Sequence, residues 1–297
     1  LQIADCRLQI ELQSAICNLQ SAIMNTIAYL GPAGTFSEEA AIAYAAGETS
    51  YLPLASIPAV VTAIETGAAD VGVLPIENLL EGSVNFTLDL LIHETALQIS
   101  GEIVIPIRQY LVVREGMRLP DVKVLYAHPQ SLGQCRRFIE RVLPGVATVA
   151  SLSNSAAPAE ALADTRPAAA ISTLRAAELT GATILARDIA DSTGNVTRFI
   201  GLGRQDAPPS GDDKTSFCFA FTEDRSGTLV DALKELAAEQ INMTKLESRP
   251  SRAVLGKYIF LVDINGHREE PHVARALERI AAQSGMFKVF GSYPRWK

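Results

Sequence analysis

The chain has 297 residues, 48% hydrophobic and 20% charged, which is enough apolar material for about two packed domains and too much for a disordered chain. Its 26 basic and 33 acidic residues leave a formal charge of -7, which excludes a general attraction to nucleic acid or to an anionic membrane surface. No apolar run reaches the ~18 residues of a membrane span, and the first residues lack a signal peptide's basic start and compact apolar stretch, so the expected location is the cytoplasm.

Residues 1–26 read as a leader. LQSAICN at 12–18 and LQSAIMN at 19–25 are tandem heptads differing at one place, and Met24 directly precedes a strand-like segment. Two readings stand: a non-native extension with the natural start near Met24, or an amphipathic helix docking on a partner. From residue 27 onward, short apolar runs alternate with helical patterns, which predicts an α/β architecture with a largely parallel sheet. Strand 27–30 leads into a helix near Ser37. A second helix, opened by Pro58 and closed by Gly67, precedes strand 70–74. A third helix begins near Ser83 and runs toward a strand at 103–113. After Pro120 the alternation restarts, with strands 123–127, 146–150 and 168–171 between helices 131–143, 156–163 and 174–179.

Two lobes are therefore expected, one of about 27–105 with 190–204 and one of about 106–189, with segment 191–202 carrying polar residues to the cleft between them. The Pro-, Asp- and Gly-rich stretch 205–214 reads as a linker. Beyond it, strand 215–221, helix 227–239, strands 242–248 and 258–264, helix 271–282 and strand 286–292 spell βαββαβ, a ferredoxin-like module over 215–297. Its helices would cover one sheet face, leaving the other face or an edge for a second copy.

Chemistry-bearing residues gather at strand-to-helix turns, where unpaired amides and the helix dipole attract anions. GPAGTFS at 31–37 has glycines for close approach and Thr35 or Ser37 as caps, though alone it reads as an ordinary capped helix. In PIEN, Asn78 can donate and accept, while Glu77 fits a partner for a neighbouring amide or cation better than a proton carrier. His128 in HPQS is as well suited to a structural role as to a base. In NVTRF, Arg198 offers a fork for a carboxylate or a structural ion pair, and Thr197 has no histidine beside it to make it a nucleophile. Cys6, Cys17, Cys135 and Cys218 form no CxxC pair and the four histidines no HExxH, so neither a disulfide framework nor a metal site is expected.

In order along the chain, GPAGTFS, PIENLLEGSV, HPQSLGQC, STLRAA and NVTRF resemble the motif set of prephenate dehydratases, over about residues 27–202. The module after it resembles an ACT regulatory domain, with Gly227, Thr228 and Leu229 at a Gly-Ala-Leu turn and ESRP at Glu247, Ser248, Arg249 and Pro250. The resemblance implies a two-lobed, type II periplasmic-binding-protein-like catalytic domain plus the ACT module. It also implies conversion of prephenate to phenylpyruvate, water and carbon dioxide without a cofactor, with L-phenylalanine as effector and a homodimer or homotetramer joined through ACT domains. It assigns catalysis to Thr197, Asn78 and Gln130, and substrate binding to Thr35, Phe36, Ser37, Ser83, Ser172, Thr173, Arg198 and Phe199. The effector would meet Asn242, Gly227, Thr228, Leu229 and the ESRP residues. Leu79 stands where the family often has Ser or Thr, and Thr228 replaces the usual Ala. The 26 leader residues are too few for the chorismate mutase helices that some relatives carry. Arogenate dehydratase and a non-catalytic amino-acid sensor are the alternatives, the first because discrimination touches one side-chain group.

Overall fold

The computed structural model describes residues 25–223, 225–251 and 257–296. The leader up to residue 24, with Cys6 and Cys17, lies outside the described residues.

The first lobe runs β1 (Asn25–Leu30), α1 (Phe36–Tyr44), β2 (Thr49–Leu54), α2 (Ile57–Thr66), β3 (Val71–Asn78), β4 (Gly82–Ser83), α3 (Asn85–His93) and β5 (Gln98–Pro106). Helix α2 shows how local chemistry sets these elements. The Ser56 hydroxyl accepts from the Ala59 amide, a proline sits in the first turn where its missing donor costs nothing, and Gly67 ends the helix at φ +83°. Its Val60 and Ile64 then lie against Gly72 of β3, so close that a Cβ there would sit 2.6 Å from Ile64.

The second lobe runs β6 (Tyr110–Val113), a 3₁₀ turn (Leu119–Asp121), β7 (Val124–Ala127), α4 (Pro129–Gln134), α5 (Arg136–Val142), β8 (Ala147–Ala150), α6 (Ala157–Ala163), β9 (Ala168–Ser172), α7 (Leu174–Thr180) and β10 (Thr183–Ala186). The chain then returns to the first lobe as β11 (Val196–Gly203). The expected strand 103–113 is two strands in different sheets, because the chain crosses between lobes at 107–109. The expected helix 131–143 divides at Cys135, where the Asp191 carboxylate takes the Arg137 and Phe138 amides and caps a new helix.

Both sheets are mixed, which corrects the expectation of a largely parallel one. The first has the order β2-β1-β3-β11-β5, with β4 beside β3. Strand β1 is parallel to β2 and β3, but β11 is antiparallel to both its neighbours. The reason is topological: β5 leaves the lobe and β11 re-enters it, so the two hinge strands run side by side in opposite directions. The second sheet, β10-β6-β9-β7-β8, is parallel only at β9-β7-β8.

The last module runs β12 (Asp213–Ala220), α8 (Thr228–Ala238), β13 (Met243–Pro250), β14 (Tyr258–Asn265), α9 (Pro271–Ala282) and β15 (Met286–Pro294), in sheet order β13-β14-β12-β15. Phe217, Phe219, Leu236, Ile264 and Leu277 fill the core under its two helices. The opposite face is not free for a second copy. Cys218, Ile259, Leu261, Phe290 and Tyr293 share one core with Leu88, Leu91, Ile99, Ile200 and Leu202 of the first lobe. The approach is tight at Gly291, where a Cβ would fall 2.3 Å from the Ile99 carbonyl oxygen. Among the described residues, β13 is paired only on its β14 side and remains an edge.

Candidate active site

Where β5 leaves and β11 returns, the lobes enclose a cleft of about 290 Å³. The first lobe lines it with Phe36, Ser37, Asn78, Ser83, Thr197 and Phe199, and the second with Gln130, Ser131, Gln134 and Asn154. Thr197 and Phe199 share the cleft face of β11 because strand side chains alternate, and by the same rule Arg198 points away. Among the described residues lining the cleft, Glu81 alone is charged and none is basic.

The floor is organised by Asn78. Its Oδ1 accepts the Leu80 and Glu81 amides, both at 3.0 Å. That fixes the orientation of the amide, so Nδ2 faces Thr197 Oγ1 at 2.8 Å, with Asn195 Oδ1 at 2.9 Å and the Val196 carbonyl at 3.1 Å. Thr197 therefore accepts from Asn78, and its own proton is left to be donated elsewhere. Thr197 is 8% exposed and lines the cleft, so an acceptor placed in the cleft would be within reach of its hydroxyl.

The expectation that Arg198 clamps a substrate carboxylate is corrected. Its guanidinium lies behind the strand, donating to Glu102 at 2.6 Å, Asp263 at 2.7 Å and the Tyr293 hydroxyl at 2.8 Å. Lys214 also holds Glu102 at 2.8 Å, and Ser216 holds Asp263 at 2.6 Å. Burial alone would raise the Asp263 carboxyl and lower Arg198, but their mutual charges, with Tyr293 and Glu102 beside Arg198, reverse both directions. The carboxyl ends up held below its ordinary range and the guanidinium held charged. Burial pushes the Tyr293 phenol up. The cluster ties the strand of Thr197 to the ferredoxin-like module.

Other expected contacts are also spoken for. Ser172 is fully buried and donates to the Asn154 carbonyl, while Thr173 is fully buried, donates to the Gly34 carbonyl at 2.6 Å and caps α7. Both are structural in this arrangement, because a hydroxyl has one proton to give. Thr173 joins a seam between the lobes, which Arg175 continues by pairing with Glu38 at 3.2 Å. Thr35 caps α1 and donates to carbonyls of its own turn, outside the cleft lining. His128 accepts the Gln130 amide as a cap, and Glu77 lies 3.2 Å from Lys245, both the structural alternatives. Leu79 is exposed and absent from the cleft lining, so its departure from Ser or Thr removes no contact there. Burial raises the Cys135 and Cys218 thiols to about 12, which leaves neither a nucleophile. Among the described residues, no group of His, Cys, Asp and Glu fits a metal ion, and no helix is long and apolar enough to cross a membrane.

Besides Glu81, the polar cleft residues not anticipated as site residues are Ser131, Gln134, Asn195, Asn154 and Gln109. Of these five, the first three sit inside motifs, so their places beside Gln130 and Thr197 were a usable signal. Asn154 and Gln109 come from a loop and the hinge, with no local pattern to mark them.

In the last module, Gly227 needs its glycine, at φ +89°, and Thr228 donates to the Arg225 carbonyl. Strand pairing puts Gly227, Thr228 and Leu229 at the same end of the sheet as Ser248 and Pro250, and Asn242 at the other end. Glu247 and Arg249 face the first lobe: Glu247 accepts from Ser83 at 2.5 Å, and Arg249 binds Asp89 at 2.7 Å and Asn85 at 2.5 Å. ESRP thus splits between two faces of one strand. Ser248 and Pro250 are left outward, while Glu247 and Arg249 are already engaged within the chain.

Fold and site together define a two-lobed domain with a polar cleft between its lobes, fused to a ferredoxin-like module seated on one lobe. The prephenate dehydratase family profile matches residues 27–207, and the ACT domain profile matches 217–282. A bifunctional chorismate mutase/prephenate dehydratase of Aquifex aeolicus is 40% identical over 96% of this chain and 77% of its own. The crystal structure of prephenate dehydratase from Arthrobacter aurescens in complex with L-Phe superposes with a TM-score of 0.82 at 35% identity, covering 91% of this chain and 90% of that one. GqqA, described as a novel type of quorum quenching acylase, also has a TM-score of 0.82, at 32% identity, covering 92% of this chain and 98% of that one. The chain belongs to the prephenate dehydratase family and carries an ACT domain.

Proposed function

We propose that this chain converts prephenate to phenylpyruvate in L-phenylalanine biosynthesis. The observation that carries it is the Asn78–Thr197 pair, in which Thr197 accepts and so keeps its own proton for an acceptor in the cleft. As the ring carboxylate leaves as carbon dioxide, its bonding electrons enter the diene and the ring hydroxyl departs with its own pair. Aromatisation drives the step, and Thr197 donates a hydrogen bond to the departing oxygen. A threonine hydroxyl is too weak an acid to release its proton outright, so the second proton of the water comes from solvent. Among the described residues the cleft has no basic side chain, so holding a dianion falls to Ser37, to Gln130, to Asn154, whose Oδ1 takes the Ser131 proton at 2.6 Å and whose amide nitrogen remains to donate, and to the positive N-terminal end of α1.

L-Phenylalanine fits the ACT domain as effector, since the Arthrobacter relative was crystallised in complex with it. Binding between two copies would use the free edge of β13, which carries the exposed Leu246, and the neighbouring Val230 and Tyr258 are exposed as well. A homodimer or homotetramer follows from this proposal, and the cytoplasm is its proposed location. Purified protein supplied with prephenate should release phenylpyruvate, and added phenylalanine should slow it. Release of phenylalanine from arogenate alone would move the assignment to arogenate dehydratase. No product from either would reject both and leave a sensor, or the acylase chemistry of the structural relative.

A further inference from the structure

Among the described residues the cleft lacks a cation of its own, yet one stands directly behind it. Lys245, on the face of β13 turned toward the first lobe, donates to Ser83 Oγ at 3.1 Å, and Ser83 lines the cleft. The same Lys245 ammonium lies 3.2 Å from Glu77 and 3.4 Å from Glu247. Ser83 in turn gives its single proton to Glu247 at 2.5 Å. In this arrangement Ser83 has no proton for a substrate carboxylate, and two acidic groups offset the charge of Lys245.

We infer that Lys245 and Glu247 of the ACT strand set the anion affinity of the cleft in opposite directions, and this inference rests on the proposed prephenate reaction. Lys245 lends positive charge one hydrogen bond behind Ser83. Glu247 competes with the substrate for the Ser83 proton and neutralises part of that charge. Movement of β13 against the first lobe would change both at once, which gives the ACT domain a direct hold on the cleft within one chain. Both residues act through Ser83 and are positioning residues.

The experiment measures prephenate KM and kcat for wild type, Lys245→Gln, Lys245→Arg and Glu247→Gln, with melting curves for each. Lys245→Gln should raise KM about fivefold and Glu247→Gln lower it about threefold, the size of part-exposed charge interactions. In both, kcat should stay within about twofold, and Lys245→Arg should restore the wild-type KM. Added salt should raise the wild-type KM more steeply than that of Lys245→Gln, because screening acts on the charge that was removed. A merely structural seam would move both KM values the same way, and that result, or an unchanged KM in Lys245→Gln, overturns the inference. If Lys245→Gln does not fold, Glu247→Gln decides: a lower KM supports the inference, and an equal or higher one rejects it. A wild type that turns over no prephenate overturns the proposed reaction and this inference with it, whereas normal turnover without the opposed shifts removes only the inference.

Discussion

Asn78→Asp is a near-isosteric change that should reverse one hydrogen bond. The aspartate keeps an oxygen for the Leu80 and Glu81 amides, which Asn78 Oδ1 holds at 3.0 Å. Its second oxygen, however, replaces a donor that stands 2.8 Å from Thr197 Oγ1. An ionised carboxylate can only accept, so it takes the Thr197 proton away from the cleft. Losing a positioned donor to a leaving oxygen should cut kcat about 10²- to 10³-fold at neutral pH. The new oxygen also faces Asn195 Oδ1 at 2.9 Å and the Val196 carbonyl at 3.1 Å, acceptors that favour the protonated acid. Its pKa should therefore rise above the ordinary value of ~3.9. As pH falls through that raised value the acid becomes a donor again, so the variant should recover kcat on acidification where wild type shows no such limb. The assay is initial rate at saturating prephenate across pH, with the enzyme-free background subtracted. A variant within about threefold of wild type at neutral pH, or one with no recovery on acidification, would refute the assigned direction of the Asn78–Thr197 bond.

Asp263→Asn should destabilise the protein by about 3 kcal/mol in urea titrations, because it leaves Arg198 buried with one fewer counter-charge. The Asp263 carboxyl is held below its ordinary range, so its contribution is full above the unfolded value near ~3.9 and is lost as pH falls through the folded one. The gap between wild type and variant should accordingly narrow in acid. Gly201→Ala should cost about 1–3 kcal/mol by overpacking. A Cβ there falls 2.2 Å from the Tyr44 hydroxyl and 2.3 Å from the ring, and a melting temperature equal to wild type would show that the ring gives way.

Most of the α/β order and the whole βαββαβ module were legible from apolar spacing and from caps such as Ser56, Pro58 and Gly67. What escaped depended on which way a side chain faces and what covers a sheet. Arg198 was legible in principle: strand alternation puts it opposite Thr197 and Phe199, so the three could not all face one cleft. The same alternation separates Glu247 and Arg249 from Ser248 and Pro250. The buried outer face of the ACT sheet left a trace in Phe217-Cys218-Phe219, a continuous apolar run of the kind found in strands covered on both sides. Asn154 and Gln109 reach the cleft only through the packing of one lobe on the other, which no local spacing records.

The central claim is that the Thr197 hydroxyl assists departure of the ring hydroxyl. It is tested most directly by single-turnover conversion of prephenate with enzyme in excess, comparing wild type, Thr197→Ser and Thr197→Val. Serine keeps the donor and should retain turnover within about tenfold, whereas valine keeps the shape and should lose about 10²- to 10⁴-fold. Near-normal turnover by Thr197→Val, in a protein that melts like wild type, would contradict the account.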